Sequence, residues 1–351
     1  MKLAMFRVDT PVGPFRRLGV VTLDGGPADT IESARRNAGY VVDANFAFAA
    51  MEADWGRSNA IERAAAFCPP DLQAYAELYG TDVSVLADVS AWVGEREDIL
   101  GPRGETVRWA LSDVAFVSPI TRIPVLRDFA AFEDHLENTF GKMGLSIPPA
   151  WYQQPTAFKG NSTTIFGHDS TVPWPRYTKK LDYELELAAV IGCPTENVDI
   201  DHAGDAILGY TLLNDFSARD TQHGEMNVST GPYKGKDFAW GLGPWIVTAD
   251  EFGDPSTLEM AVRVDGEIWA TSTPGPMHWS FPEVIAYTSQ DERLAVGEVL
   301  GSGTVNSGCG FEIDRWIEPG ATVELEADKI GVLRHHIAHP EGAPIRWRRS
   351  A

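Results

Sequence analysis

The stretch Leu181 to Gly192, LDYELELAAVIG, is the strongest strand signal in the chain and the one that most constrains the fold. On a strand of period two, Glu184 and Glu186 project from one face while Leu185 and Leu187 point to the other. Two carboxylates then stand side by side, roughly 6.5–7 Å apart along the backbone. On a buried face such acids repel each other and lose hydration unless something cationic sits between them, and a hard divalent ion is the simplest such partner. The alternative is an amphipathic strand whose acid face is solvated, so the case for a site has to come from the rest of the chain.

A chain of 351 residues can bury a sizeable core and accommodates two domains, or one domain with a large N-terminal addition. Its 33 glycines and 23 prolines follow no repeat, which favours many short strands and structured loops over long helical bundles. The net charge of -21 repels nucleic acid and anionic membranes, and no Lys/Arg-rich block overrides it locally. Neither partner is expected. The three cysteines, Cys68, Cys193 and Cys309, form no C-x-x-C pair and read as reduced, mostly packed thiols. With no apolar run of signal-peptide or membrane-spanning length, the expectation is a soluble, cytoplasmic protein.

The pattern along the chain predicts a mixed α+β fold that is mostly β. Residues 1–118 read as a supporting N-terminal domain: strands LAMFRV and RLGVVTL around the turn TPVG, helices over 31–50 and 60–78, and a strand pair over 107–119. Residues 119–340 read as a second domain and 341–351 as a tail. Phe129, Phe132, Leu136 and Phe140 recur at helical spacing, which predicts a helix over 128–140 with Asp128 at its start and His135 on the same side, about 10 Å away. Residues 141–180 form a proline- and aromatic-rich stretch, either a packed connection or a cover. Asp215 ends the strand Ala206 to Leu213, and Arg219 and Gln222 share its face if a helical turn begins near Asp215. Lys236 falls in a tight, exposed turn, as an anion-binding lysine or a solvated charge. Met260 to Pro274 predicts a hairpin turning at Asp265 and Gly266. A short helix is expected over 281–287 and a closing strand pair after Ala321. The small, glycine-rich run after Val299 suits close approach to a ligand, and equally a plain barrel corner. No nucleotide-binding glycine fingerprint is present.

These acids, with one histidine, one arginine and one lysine, suggest divalent-metal chemistry on a carboxylate substrate. The segments RDFAAFEDH, PPAWYQQPTAFKG, LDYELELAAVIG, GYTLLNDFSARDTQ, GKDFAWGLGPW and GSGTV followed by GFEID, in that order, closely resemble the fumarylacetoacetate hydrolase family. The resemblance covers roughly 119–338 and lies nearest the acylpyruvate and diketone hydrolase branch. It implies a C-terminal mixed β-sandwich roll, a homodimer, and one divalent cation, Mg2+, Mn2+ or Ca2+, on Asp128, Glu184, Glu186 and Asp215. It further implies His135 as catalytic base, Glu312 as its orienting partner, and Arg219, Gln222, Lys236 and Thr304 around the substrate oxygens, with Lys236 also taking part in catalysis. Phe158 stands where fumarylacetoacetases proper carry tyrosine, and Ala130 replaces an aromatic, so the substrate should differ from fumarylacetoacetate. The implied activity is hydrolysis of a C–C bond in a 1,3-diketone or acylpyruvate, an oxo-acid or diketone substrate. The alternatives on the same platform are a 2-oxo-acid decarboxylase, an isomerase or a sugar-acid dehydratase. Outside catalysis, the alternative is a small-carboxylate binding protein.

Overall fold

The stretch from Leu181 to Gly192 is strand-like in two pieces. Leu181–Asp182 pairs with Ser217–Ala218, and Leu185–Ile191 lies fully buried inside a large sheet. This computed structural model describes residues 1–11, 13–25, 30–228, 230–275, 277–343 and 345. Val12 of the expected TPVG turn and the RWRR run of the tail, residues 346–349, lie outside them.

The large sheet has twelve strands. From one edge its path runs Arg108–Ala110, Gly39–Asp43, Gly13–Leu23, Lys2–Thr10, Trp240–Thr248, Ile207–Asp215, Leu185–Ile191, Val299–Gly301, Leu126–Phe129, Ala157–Gly160. The N-terminal strand Lys2–Thr10 thus adds directly to Trp240–Thr248, with Lys2 opposite Val247. A second sheet of five strands runs Glu267–Ser272, Met260–Val264, Thr322–Ala327, Gly331–Ile337, Ser170–Val172. The architecture is mixed α+β and mostly sheet.

Side-chain alternation on the central strand separates two cores. Leu185, Leu187, Ala189 and Ile191 pack toward Val262, Leu325 and Leu333 of the five-stranded sheet. Ala188 and Val190 pack on the opposite face with Leu72, Tyr75, Leu86 and Val89 from the N-terminal helices. Each fully buried aliphatic side chain contributes about 1.5–3 kcal/mol. The even-numbered residues Glu184 and Glu186 point to this second face, as do Leu126 and Leu213, so Asp128 and Asp215, two residues farther along their strands, project there too. Alternation alone brings four acids to one side of the sheet.

Among the N-terminal elements, Ala60–Phe67 and Leu72–Tyr79 are helices separated at Pro69–Pro70, and the Asp71 side chain caps the second. The expected helix over 31–50 is instead Thr30–Arg35, the strand Gly39–Asp43, and Ala44–Asp54. Pairing of Val41 and Val42 with Val21 and Val20 outweighs the helical propensity of the flanking alanines. The hairpin turns at Asp265 and Gly266, both with positive φ, and the helix Phe281–Thr288 starts from a capping box made by Ser280 and Glu283. The closing pair is Thr322–Ala327 with Gly331–Ile337.

Candidate metal and proton-transfer site

Asp128, Glu184, Glu186 and Asp215 offer carboxylate oxygens that all lie within 4.8 Å of one another, and all four residues are buried. Asp128 is on a strand, not at the start of a helix. Leu126–Phe129 pairs with Val299–Gly301 on one side and Ala157–Gly160 on the other, with Asp128 opposite both Gly301 and Phe158. Those two ladders satisfy its backbone, and the helix begins only at Glu133. The aromatic spacing was misleading because Phe129 and Phe132 are buried ahead of the helix rather than along its face.

Lys236 is 2% exposed, not in the expected exposed turn. Its Nζ lies 2.6 Å from Glu184 Oε2 and also donates to Asp215. The turn before it is fixed by Glu225, whose carboxylate accepts from the backbone N–H groups of Tyr233, Lys234 and Gly235 at 2.8, 2.7 and 3.1 Å. Asp215 does not share a helical face with Arg219: Ser217–Ala218 intervenes as a strand, and the helix is Arg219–Met226. On that helix Arg219 Nη1 donates to Gln222 Oε1 at 3.1 Å. The Arg219 Nη2 atom lies 2.7 Å from Glu184 Oε1 and 2.7 Å from Asp182 Oδ2. Thr304 Oγ1 reaches Glu186 Oε1 at 3.5 Å. The half-buried Phe158 ring packs on Trp240 with centroids 5.8 Å apart.

Burial pushes up the carboxyls of Asp128, to about 6, and of Glu186 and Asp215. For Glu186 the neighbouring Asp128 charge adds to this. Burial also opposes ionisation of Glu184, but Arg219 and Lys236 overcome it and hold that carboxyl well below the usual range. Buried ions cost several kcal/mol each unless paired. One ammonium and one shared guanidinium do not balance this group of acids. Glu186 Oε2 and Asp215 Oδ1 are buried without a hydrogen-bond partner. An all-oxygen set with unpartnered lone pairs fits a hard divalent cation such as Mg2+, Mn2+ or Ca2+. Gly301 keeps the space open, since a Cβ there would stand 2.6 Å from Asp128 Oδ1 and 3.0 Å from Glu186 Oε2.

Beside the carboxylates stands a second group. His135, on the helix Glu133–Lys142, places Nδ1 2.9 Å from Glu312 Oε2, an ion-pair contact whose N–H direction is off-line for a full hydrogen bond. Glu312 Oε1 accepts from Asn138 Nδ2 at 3.2 Å and from Ser307 N at 3.1 Å. Burial works against the Glu312 charge, but His135 and these donors prevail and lower its carboxyl below the ordinary value. The segment before the short helix Gly310–Ile313, which carries Glu312, is tied to the Glu184 strand: Cys309 forms a β-bridge with Glu184, and Leu185 N donates to Gly308 O at 2.9 Å. All three cysteines are free thiols. Trp151 pins the aromatic stretch to the body, its Nε1 donating to Ala130 O at 2.6 Å, while Tyr152 is exposed.

Asp182, Glu225 and Asn138 escaped sequence reasoning. Asp182 and Asn138 meet groups more than a hundred residues away, and Glu225 meets backbone amides of the turn eight to ten residues on, for which no side-chain pattern gives a signal.

Residues 124–338 match the family described as Fumarylacetoacetate (FAA) hydrolase C-terminal. The chain belongs to the fumarylacetoacetate hydrolase family. It is 32% identical over 225 residues to an uncharacterized protein of Archaeoglobus fulgidus, a match covering 64% of this chain and 82% of that one. It is 29% identical over 253 residues to the oxaloacetate tautomerase YisK of Bacillus subtilis, covering 71% of this chain and 80% of the relative. Its fold is shared by the maleylpyruvate hydrolase of Sphingobium sp. SYK-6, at TM-score 0.63 and 20% identity over 96% of this chain and 99% of that one. The 5-carboxymethyl-2-hydroxymuconate delta-isomerase of Mycobacterium smegmatis gives TM-score 0.61 at 22% identity, again over 96% and 99%. Hydrolases, isomerases and tautomerases thus stand among its relatives and structural neighbours. Among the described residues no helix is long and apolar enough to cross a membrane.

Proposed function

We propose that the protein is a divalent-metal-dependent hydrolase that cleaves a C–C bond of a 1,3-diketone or acylpyruvate. The observation that carries the reading is the contact of His135 Nδ1 with Glu312, built next to a closed four-carboxylate cluster. When bound to Asp128, Glu184, Glu186 and Asp215, the ion supplies Lewis-acid polarisation of substrate oxygens and stabilises enolate charge.

The Glu312 carboxylate, 2.9 Å from Nδ1, favours the tautomer with the proton on that nitrogen, which leaves Nε2 as the basic nitrogen. Nε2 takes a proton from water as its oxygen adds to the acyl carbonyl, and the same proton then serves the departing carbon. The balance is R–CO–CH2–CO–COO− plus water giving R–COOH and CH3–CO–COO−. Arg219, held by Asp182, and Gln222, whose NH2 is left to donate because its Oε1 serves Arg219, bind substrate oxygens. Lys236 has three N–H donors and uses two on Glu184 and Asp215, leaving one for developing negative charge. Thr304 lies beside Glu186 to contact the carboxylate end, and Phe158 bounds the pocket with an apolar face.

Purified protein supplied with Mn2+ or Mg2+ and a series of acylpyruvates should yield pyruvate and the matching carboxylic acid in equal amounts. Release of CO2, or a product of unchanged mass, would remove hydrolysis. A second reading, keto–enol tautomerisation, is favoured by the 29% identity to the oxaloacetate tautomerase. There His135 would move a proton of the substrate's methylene carbon instead of a water proton. Oxaloacetate interconverting without cleavage would select it.

A further inference from the structure

Asp182 takes no direct part in this chemistry, yet it is fully buried and joins the two segments the site depends on. Its Oδ1 accepts from Gly310 N at 2.8 Å and from Tyr183 N at 2.9 Å. Its Oδ2 accepts from Phe311 N at 3.0 Å and from Arg219 Nε at 2.8 Å. Glu312 is the next residue after those two amides, and Arg219 opens the helix that carries Gln222.

We propose that Asp182 is a positioning residue that sets Arg219 against the substrate and Glu312 against His135 at the same time. The proposal rests on the reading of Arg219 and Glu312 given above. A plain Arg–Asp ion pair would need only the guanidinium. Here each carboxylate oxygen also accepts from the backbone of the Glu312 segment, so neither segment moves without disturbing the other. Arg219 has a competing anion in Glu184, and the bond from Nε to Asp182 keeps the guanidinium from turning wholly toward it. Gly310 allows the close approach, since a Cβ there would lie 2.5 Å from Asp182 Oδ1. The Phe311 ring, 5.7 Å from the Arg219 guanidinium carbon, is a further contact between the same segments.

The test uses Asp182→Asn in the full chain, which removes the charge and replaces one oxygen by an NH2 that cannot accept, so that either Gly310 N and Tyr183 N or Phe311 N and Arg219 Nε lose their acceptor. Hydrogen exchange is followed by mass spectrometry beside Mn2+ titration and steady-state kinetics. Loss of a hydrogen bond to a charged group corresponds to a change of about tenfold or more. Exchange should quicken by about that factor in both 305–316 and 217–226 and little elsewhere, with Mn2+ affinity kept. On acylpyruvate, KM should rise through Arg219 and kcat fall through His135. Exchange spread through the sheets, or quickened in only one segment, overturns the proposal, as do wild-type kcat and KM. If the wild type turns over no acylpyruvate, the functional reading fails while the exchange pattern still decides the coupling. If Asp182→Asn does not fold, Arg219→Lys should quicken exchange in 305–316, and unchanged exchange there overturns the coupling.

Discussion

Lys236 Nζ sits 2.6 Å from Glu184 Oε2 while also bonded to Asp215, so the ammonium shares two of the four carboxylates offered to a cation. Burial opposes its charge, but Asp215 and Glu184 overcome this and hold the ammonium above its ordinary value. Removing one partner of such a buried group leaves uncompensated charge and costs about 3–5 kcal/mol. Lys236→Met should lower the unfolding free energy of metal-free protein by that order, read from urea titrations. Saturating Mn2+ should recover most of the loss. An equal loss with and without Mn2+ would separate Lys236 from the metal site.

On the proposed reading His135 and Glu312 act on protons and the four carboxylates hold the metal. His135→Ala should lower kcat by about 10²–10⁴ and leave Mn2+ affinity unchanged. Glu312→Gln should lower kcat less, because the imidazole remains. A His135→Ala variant with wild-type kcat would exclude His135 as the base.

The raised carboxyls set a pH dependence for the metal. Burial lifts the carboxyl of Asp128 to about 6 and raises those of Glu186 and Asp215 well above the ordinary range, so the metal-free fold favours their protonated forms as pH falls. A folded-state value above the unfolded one gives stability that is present below the unfolded value and lost as pH rises through the folded value. A bound cation replaces those protons. The rise in Tm caused by Mn2+ should therefore be small near about pH 5 and grow toward about pH 7.5, with proton release seen by calorimetry in two buffers. A pH-independent rise contradicts this assignment.

Gly301 faces the same cluster from the neighbouring strand. In Gly301→Ala the new methyl would press on Asp128 Oδ1 and, at 2.7 Å, on Leu213 Cδ2. Mn2+ affinity should fall by about 10–100-fold, the range found when groups supporting metal ligands are disturbed. Unchanged affinity in a folded variant would place the ion elsewhere.

The face shared by Glu184 and Glu186 was legible from the period of a single strand, and the hairpin at Asp265–Gly266 from its turn residues. Lys236 was not. A lysine between glycine and aspartate reads as surface, and only Glu184 and Asp215, 52 and 21 residues earlier, draw it inside. Asp128 was misplaced on a helix because the aromatic spacing that follows it is helical, whereas its backbone is taken by two strands distant in the chain. Asp182 gave no signal, as the Gly310 amide and the Arg219 guanidinium that it joins lie 128 and 37 residues away. Family resemblance supplied the roles of His135 and Glu312; local spacing could not connect two helices so far apart along the chain.

Water attack on the acyl carbonyl is the central claim, and label transfer tests it most directly. With Mn2+ and an acylpyruvate in 18O-enriched water, one solvent oxygen should enter the carboxyl group of the released carboxylic acid at each turnover. Formation of pyruvate without label in that acid, or interconversion of tautomers with no cleavage, would contradict the account.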